Sequence, residues 1–220
     1  MTAVLFSAGL DSAVLLAAAA QQEPVVPIYV SVGLAWEAEE QAMAARLFAS
    51  GAYRGRVRPL VALRFDMRDV YPASHWAILG EPPAFDTPDE DVYIEGRNVV
   101  LICKACVYMA RHGLTRLLIG TLANNPFPDA SAAFFEAMGR AVSMGLGARI
   151  VVETPFAGLH KVEVLRRGLE LGVPLELTLS CMQPSHGLHC GLCSKCRERR
   201  DAFLEAGVED PTKYATKPAR

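Results

Sequence analysis

Residues 3–16 read AVLFSAGLDSAVLL, and the changing character of this stretch predicts a strand, a tight loop and a helix. The apolar run 3–6 has the length of a buried strand, and small residues follow it as a loop. Asp11 and Ser12 are then expected to cap a helix that continues through residue 20. Because the first N–H groups of a helix lack intrahelical partners, this arrangement forms a site for anions such as phosphate.

The loop lacks the marks of two common nucleotide-binding motifs. It has no Lys at the Walker position, and it does not contain G-x-G-x-x-G. Ser7 and Ser12 can add hydroxyl donors to the anion site. An ordinary α/β turn that binds no ligand is the alternative interpretation of the residues alone.

Length and composition set limits on the class of protein. The 220 residues suffice for one domain with an appendage or for two small domains. A formal net charge of −2 gives no strong nucleic-acid signal. No apolar run is long enough to span a bilayer and no signal peptide is visible, so a cytoplasmic location is expected. The six Cys are therefore interpreted as thiols or metal ligands before disulfides.

The rest of the chain alternates between strand-like and helix-like patterns. Strands are predicted at 24–30, 57–63, 116–122 and 150–156, and helices at 36–50, 99–111, 130–146 and 160–171. This alternation predicts an α/β fold in which a parallel five-stranded sheet is covered on both faces. Ligands of such sheets bind beyond the carboxyl ends of the strands, which is where the loop 7–12 lies.

Two segments stand out from this alternation. Residues 64–96 contain four Pro residues and the acidic run 86–91, and they are interpreted as an excursion over the active-site edge. A lid and a surface insertion without a role are the two alternatives for this segment. Cys103 and Cys106 fall in the predicted helix 99–111, which is apolar nearly all round, and they are interpreted as core residues.

Four closely spaced thiols near the C-terminus suit a tetrahedral Zn²⁺ site: Cys181, Cys190, Cys193 and Cys196. With four thiolates the coordination sphere is closed, so a structural role is expected. His186 or His189 could replace one thiol. An iron–sulfur cluster and free thiols are the alternatives.

The sequence of residues 7–12, S-A-G-L-D-S, resembles the S-G-G-x-D-S signature of the PP-loop ATP pyrophosphatases, with Ala8 in place of a Gly. Over nearly its whole length the chain is similar to the 7-cyano-7-deazaguanine synthase (ExsB) family. The resemblance is carried, in order, by residues 7–12, Gly96-Arg97-Asn98, Phe127-Pro128-Asp129, Thr154-Pro155-Phe156 with Lys161-x-Glu163, and residues 177–181 with the Cys tail and Arg197-x-Arg199.

This resemblance implies a Rossmann-like, doubly wound sheet in a PP-loop domain at 1–176 and a zinc-binding region with four cysteine ligands at 177–220. It also implies that ATP with Mg²⁺ activates 7-carboxy-7-deazaguanine, which reacts with ammonia through an amide to a nitrile. The matched catalytic residues are Asp11, Lys161 and Arg97. The matched cofactor-binding residues are Ser7, Ala8, Gly9, Leu10, Asp11, Ser12, Asn98 and Asp129. Without the resemblance, Lys161 would be a solvated helix residue and Arg97 would form a surface ion pair.

Two stretches depart from the pattern of that family. Residues 32–36 read VGLAW where the family tends to have Tyr/Asp-x-Gln-Arg-His. The turn 126–131 keeps Asp129 but lacks the Arg of the family's Gly-Tyr-Pro-Asp-Cys-Arg. Because a carboxylate-bearing deazapurine needs polar partners, these changes indicate an altered pocket and a divergent member.

Three hypotheses about function follow. The first is the ATP-dependent ligase, which acts on 7-carboxy-7-deazaguanine or a close analogue. The second is a PP-loop enzyme that activates a different carboxylate or a tRNA base. The third is a zinc-stabilised nucleotide-binding module without catalysis, for which Ala8 is the best argument. The expected partners are a small-molecule acid and ammonia, with no membrane, and a homodimer is left open.

Overall fold

The computed structural model describes residues 1–217, and their strands form one five-stranded parallel sheet in the order β3-β2-β1-β4-β5. The strands are β1 (Thr2–Leu5), β2 (Val25–Ser31), β3 (Val61–Arg64), β4 (Arg116–Leu118) and β5 (Val151–Glu153). The helices are α1 (Leu10–Gln22), α2 (Glu37–Ala49), α3 (Trp76–Leu79), α4 (Arg97–Arg111), α5 (Ala132–Leu146), α6 (Lys161–Glu170) and α7 (Ser194–Ala206). The predicted α/β class, the parallel sheet and the five strands are confirmed.

The strand order indicates where a ligand would bind on the sheet. From β1 the chain builds outward through β2 and β3, and it then returns to add β4 and β5 on the other side of β1. The topological switch therefore lies between β1 and β4, at the carboxyl ends of the strands. One layer pairs α1 with α6, and the opposite layer pairs α4 with α5, so both faces of the sheet are covered. None of the helices in residues 1–217 combines the length and the apolar character that crossing a membrane requires.

The C-terminal region packs directly on the sheet layer. Helix α7 packs against α6, and the N–H of Leu179 donates to the carbonyl of Ala8 at 2.8 Å. The guanidinium of Arg199 is fully buried and donates to Thr178 Oγ1 at 2.8 Å and to the carbonyl of Leu175 at 2.7 Å. These bonds join α7 to the segment that leads away from α6. The division of the chain at residue 176 stays a prediction.

Three predicted strands are shorter in the structure: the strand predicted at 116–122 ends at Leu118, and proline explains the other two. The strand predicted at 57–63 is reduced to β3, which begins at Val61, and Val57 forms only an isolated bridge with Val25. Pro59 lacks the N–H that a continuous ladder would need. The strand predicted at 150–156 ends at Glu153, two residues before Pro155.

The prediction for the helix 99–111 was wrong in its burial. Helix α4 begins at Arg97 and buries one face on the sheet, with Ile102, Ala105, Cys106 and Met109 inside. Cys103 is exposed. Residues three apart on a helix point in directions that differ by about 60°. This angle is large enough for Cys106 to lie on the buried face while Cys103 lies just outside it.

The capping prediction for Asp11 and Ser12 was also wrong. Helix α1 begins at Leu10, its N-cap is Gly9, and no side chain caps it. Asp11 and Ser12 thus lie inside the first turn, with the backbone N–H groups of that turn left without a side-chain cap. We call residues 7–12 the β1–α1 loop.

Candidate active site

Hydrogen bonds within the β1–α1 loop fix its shape, and the first backbone N–H groups of α1 stay free in the described chain. Ser12 Oγ accepts the N–H of Ser7 at 3.2 Å and donates to the carbonyl of Gly9 at 3.0 Å. Within residues 1–217, the N–H groups of Leu10, Asp11 and Ser12 have no hydrogen-bond partner. Together with the helix dipole, these donors form a site for an anion.

Ala8 is the strained residue of the loop. Its φ is 58°, in the left-handed region, and its side chain is fully buried. A Cβ in this conformation costs roughly 1–2 kcal/mol. The Gly of the PP-loop signature would avoid that cost, so Ala8 retains the loop's shape under strain.

Ala8→Gly is expected to raise the free energy of unfolding by up to about 1 kcal/mol, because relief of strain exceeds the ~0.8 kcal/mol lost with one buried methyl. Turnover should stay equal or rise slightly. Urea unfolding measures the change. The matched control is Ala13→Gly in α1, which is buried in ordinary helix and should lose about 2 kcal/mol, because the lower helix propensity of Gly adds to the lost methyl burial. Equal losses in the two variants would contradict strain at Ala8.

A chain of four charges connects the loop to α7. The Lys161 ammonium lies 2.7 Å from Asp11 Oδ2 and 3.1 Å from Glu198 Oε1, and Lys195 lies 2.7 Å from Glu198 Oε2. The Lys161 side chain is only 17 % exposed. Burial on its own would lower the pKa of Lys161, but Asp11 and Glu198 outweigh it and raise that pKa. Lys161 therefore stays a cation beside the free donors of α1.

The second carboxylate oxygen of Asp11, Oδ1, is buried and has no hydrogen-bond partner in residues 1–217. A buried carboxylate oxygen without a donor is costly in a folded protein unless a cation or a ligand supplies the partner. The arrangement therefore suits a cation beside the anion site.

Asn98 and Asp129 bind each other. The backbone N–H of Asn98 donates to Asp129 Oδ2 at 3.1 Å, and its side-chain amide donates to the carbonyl of Asp129 at 2.9 Å. The buried Asp129 carboxylate thereby satisfies a donor in the first turn of α4, next to Arg97. Asp129 thus holds the end of α4 that carries Arg97.

Two adjoining cavities open at the carboxyl ends of the strands. The larger, of about 470 Å³, is lined by predicted and additional residues, among them Ser7, Gly9, Leu10, Asp11, Arg97, Lys161, Lys195 and Glu198. Trp36 and Trp76 form part of its wall, with ring centroids 5.7 Å apart and planes inclined by 10°. The smaller cavity, of about 260 Å³, includes Ser12, Arg97 and Asn98. Most of the predicted site residues therefore line these two adjoining cavities. Ala8 and Asp129 do not line them, and they instead hold the β1–α1 loop and the start of α4 in place.

The four cysteines of the tail converge. All four Sγ atoms lie within 4.8 Å of one another, and the side chains are buried. The Sγ atoms of Cys190 and Cys196 are 3.9 Å apart, and those of Cys193 and Cys196 are 3.6 Å apart. The N–H groups of Gln183 and Cys190 point at Cys181 Sγ, at 3.3 and 3.2 Å. This cluster could hold a metal ion.

The chain matches the family described as "Queuosine biosynthesis protein QueC" over residues 1–207. The chain belongs to this family. A relative from Thiobacillus denitrificans is 35 % identical over 96 % of this chain and 97 % of its own, and one from Anaeromyxobacter dehalogenans is 32 % identical over 96 % and 94 %. A Methanoculleus marisnigri relative is 42 % identical over 56 % of each chain. All three are named 7-cyano-7-deazaguanine synthase.

Two solved structures are similar to this QueC-family chain at low identity. One is described as a predicted subunit of tRNA methyltransferase from Methanocaldococcus jannaschii, with 17 % identity, a TM-score of 0.42 and coverage of 98 % and 91 %. The other is phosphoadenylyl-sulfate reductase from Candida auris, with 14 % identity, a TM-score of 0.40 and coverage of 78 % and 73 %.

Three residues of this QueC-family site were not predicted from the sequence: Lys195, Glu198 and Glu40. Lys195 and Glu198 lie among the tail cysteines, where the metal pattern dominates, although their i,i+3 spacing of opposite charges is a usable signal. Glu40 lies in an acidic stretch of α2 that looks like an exposed helix face. Their positions in the site follow from tertiary packing.

Proposed function

We propose that this chain is an ATP-dependent ligase that converts 7-carboxy-7-deazaguanine and ammonia to 7-cyano-7-deazaguanine, or that acts on a close analogue. The observation that carries the proposal is the free N-terminus of α1, which lies beside the buried Lys161 ammonium in a QueC-family chain. The names of the relatives support the choice of substrate.

The chemistry requires a leaving group on the acid. A carboxylate oxygen bonds to the α-phosphorus of ATP, and pyrophosphate leaves with the bond electrons, whereas attack at the γ-phosphorus would expel ADP. The N–H groups of the β1–α1 loop and Lys161 would stabilise the negative charge that develops on the departing phosphates. Ammonia then displaces the activated oxygen, which leaves on the phosphate group bonded to it, and this gives an amide and a proton. A second ATP activates the amide oxygen in the same way, and that oxygen leaves on its phosphate group while the nitrogen loses two protons, which gives the nitrile. Arg97, which lines both cavities, would orient the substrate carboxylate or a phosphate.

Asp11 fits a role in holding Mg²⁺. Its Oδ1 is buried without a protein partner, and carboxylate oxygens are ligands that Mg²⁺ prefers. When bound, Mg²⁺ would neutralise charge on the ATP phosphates.

The four cysteines fit Zn²⁺. Tetrahedral zinc with Zn–S distances of ~2.3 Å requires sulfur atoms about 3.8 Å apart, and the two Sγ pairs given above agree with that spacing. A site closed by four thiolates would supply folding energy and leave no open position for substrate.

Turnover decides between the hypotheses. ATP consumption that depends on both 7-carboxy-7-deazaguanine and ammonium, with a product of the mass of the nitrile, is the expected result. Consumption with another planar acid but not with this one would favour the second hypothesis, to which the apolar segment 32–36 and the Trp36–Trp76 stack lend support. Absence of ATP consumption with any acid would leave the non-catalytic module.

Residues 64–96 are proposed to act as a lid. Trp76 and Ile94 line the larger cavity, while Arg197 of α7 donates to the carbonyls of Phe85 and Thr87 at 2.6 and 2.9 Å. These bonds hold the segment at residues 85–87 and leave residues 66–82 without such a contact to α7.

We expect hydrogen exchange in residues 66–82 to be fast in the free protein and to slow when ATP and substrate bind. Helix α4, whose buried face includes Ile102, Ala105 and Met109, serves as the internal control and should exchange slowly in both states. Slow exchange throughout 66–82 without ligand would contradict the lid.

A further inference from the structure

Glu40 is a buried carboxyl that the proposed chemistry does not use. It lies on α2, is only 7 % exposed, and its Oε2 accepts the hydroxyl of Tyr29 on β2 at 2.9 Å. Within residues 1–217, the Tyr29 bond is the only hydrogen bond of ordinary length and angle that the Glu40 carboxylate accepts, and the neighbouring Trp36 indole lies near enough to lower the pKa of Glu40. Since Oε2 is held by Tyr29 and Glu40 lines both cavities, Oε1 is the oxygen available to a ligand bound there.

The smaller cavity has the character of a site for a flat heteroaromatic ring. It lies at the ends of three strands and is continuous with the β1–α1 loop. Its apolar walls include Phe6, Val30, Leu101, Ile119 and Phe127. Its charged groups beyond the loop are the Glu40 carboxyl and the Arg97 guanidinium, whose Nε is buried without a partner in residues 1–217. A ring with N–H donors on one edge would satisfy Glu40 while its faces contact the apolar walls.

We propose that Glu40 is a specificity-determining residue whose Oε1 accepts N–H groups from the edge of a purine-type ring. This inference rests on the proposed function, which supplies two rings of that chemistry: the adenine of ATP and the deazapurine of the acid substrate. Both carry an exocyclic amino group, and a carboxylate is acceptor-only when ionised, so it selects such an edge over a carbonyl edge.

The charge state of Glu40 gives this recognition a pH dependence. Burial raises the pKa of Glu40 to about 7, opposed by Arg97 on α4 and by the Tyr29 hydroxyl and Trp36 indole, while Glu37 on α2 raises it further. The carboxylate form, which predominates above that pH, is the better acceptor. Ring binding should therefore strengthen as the pH rises through about 7.

The test is Glu40→Gln, with Glu39→Gln as the matched control. Glu39 is the preceding residue on α2, and its Oε2 accepts the N–H of Gly187 at 3.0 Å, outside the cavities. Dissociation constants are measured by calorimetry, separately for a non-hydrolysable ATP analogue and for 7-carboxy-7-deazaguanine. Glu40→Gln should weaken one of the two about 10- to 100-fold, since a hydrogen bond to a charged group is worth about 1.5–3 kcal/mol. The weakened ligand identifies the ring, and Glu39→Gln should change neither.

The pH profile separates recognition from a general effect on folding. In the wild type the affected dissociation constant should fall as the pH rises through about 7, and in Glu40→Gln it should be flat. Tyr29→Phe, which removes the donor to Oε2, should move the midpoint to higher pH. A melting curve checks that Glu40→Gln folds, as expected for a neutral isostere of the protonated acid.

Two results would overturn the inference. If Glu40→Gln binds both ligands like the wild type, or shows the same pH dependence, Glu40 does not contact the ring, even if the enzyme turns over normally. If the wild type binds neither ligand, the proposed function fails, and the inference fails with it.

Discussion

Asp11→Asn is expected to reduce ATP-dependent turnover about 10²–10³-fold while the melting temperature changes little. The variant should also need more Mg²⁺ to reach half of its maximal rate. Turnover over a range of Mg²⁺ concentrations and a melting curve measure the two effects.

The geometry explains why the two effects should separate. Asp11 does not cap α1, so its replacement removes no helix cap. Lys161 keeps Glu198 at 3.1 Å when the Asp11 charge is lost, so the ammonium is not left unpaired. What disappears is the negative charge on the carboxylate whose Oδ1 is buried without a partner in the described chain and suited to a cation. The free energy of unfolding should therefore change little, whereas one negative charge is removed from beside the expected position of the ATP phosphates.

Glu198→Gln is the matched control, because it removes the other carboxylate that contacts Lys161. If Asp11 served only to hold Lys161, both variants would lose similar activity and neither would alter the Mg²⁺ dependence. We expect only Asp11→Asn to alter it. Unchanged ATP consumption in Asp11→Asn, with a melting temperature lower by many degrees, would instead give the loop a purely structural role.

The fold could be predicted because its signals are local. Short apolar runs followed by helix-forming segments recur along the chain, and parallel strands joined in this way have few alternatives. The predicted strands at the positions of β3 and β5 were too long because Pro59 and Pro155, although visible in the sequence, interrupt apolar runs that are otherwise strand-like. The one-sided burial of α4 depends on which face meets the sheet, and composition does not contain that information.

The site was predictable only in part. Asp11 and Lys161 each occupy the first turn of a helix that follows a strand, so both fall at the same edge of the sheet, and the structure places them 2.7 Å apart. Glu198 approaches Lys161 from a third element, and Glu40 faces the cavity because α2 packs beside β2. Such contacts depend on the packing of distant segments. No spacing in the sequence encodes them.

Cys193→Ser is expected to lower the free energy of unfolding by several kcal/mol and to reduce the zinc content below one ion per chain. Cys193 is 1 % exposed and immediately precedes α7, so a metal bound by its sulfur would hold the start of that helix. Since the metal site forms only in the folded chain, the binding energy of zinc is folding energy.

The matched control is Cys103→Ser, which replaces an exposed cysteine outside the cluster and should keep both metal and stability. Metal analysis that finds iron, or no metal, in the wild type would reject the zinc site. Loss of the metal should also lower turnover, because α7 carries Glu198 and Lys195, which connect the cysteine cluster to Lys161 and Asp11. Removal of zinc by a chelator at a temperature where the chain stays folded should therefore lower turnover without altering its Mg²⁺ dependence. If turnover survives there unchanged, the cysteine cluster stabilises the chain without positioning the site.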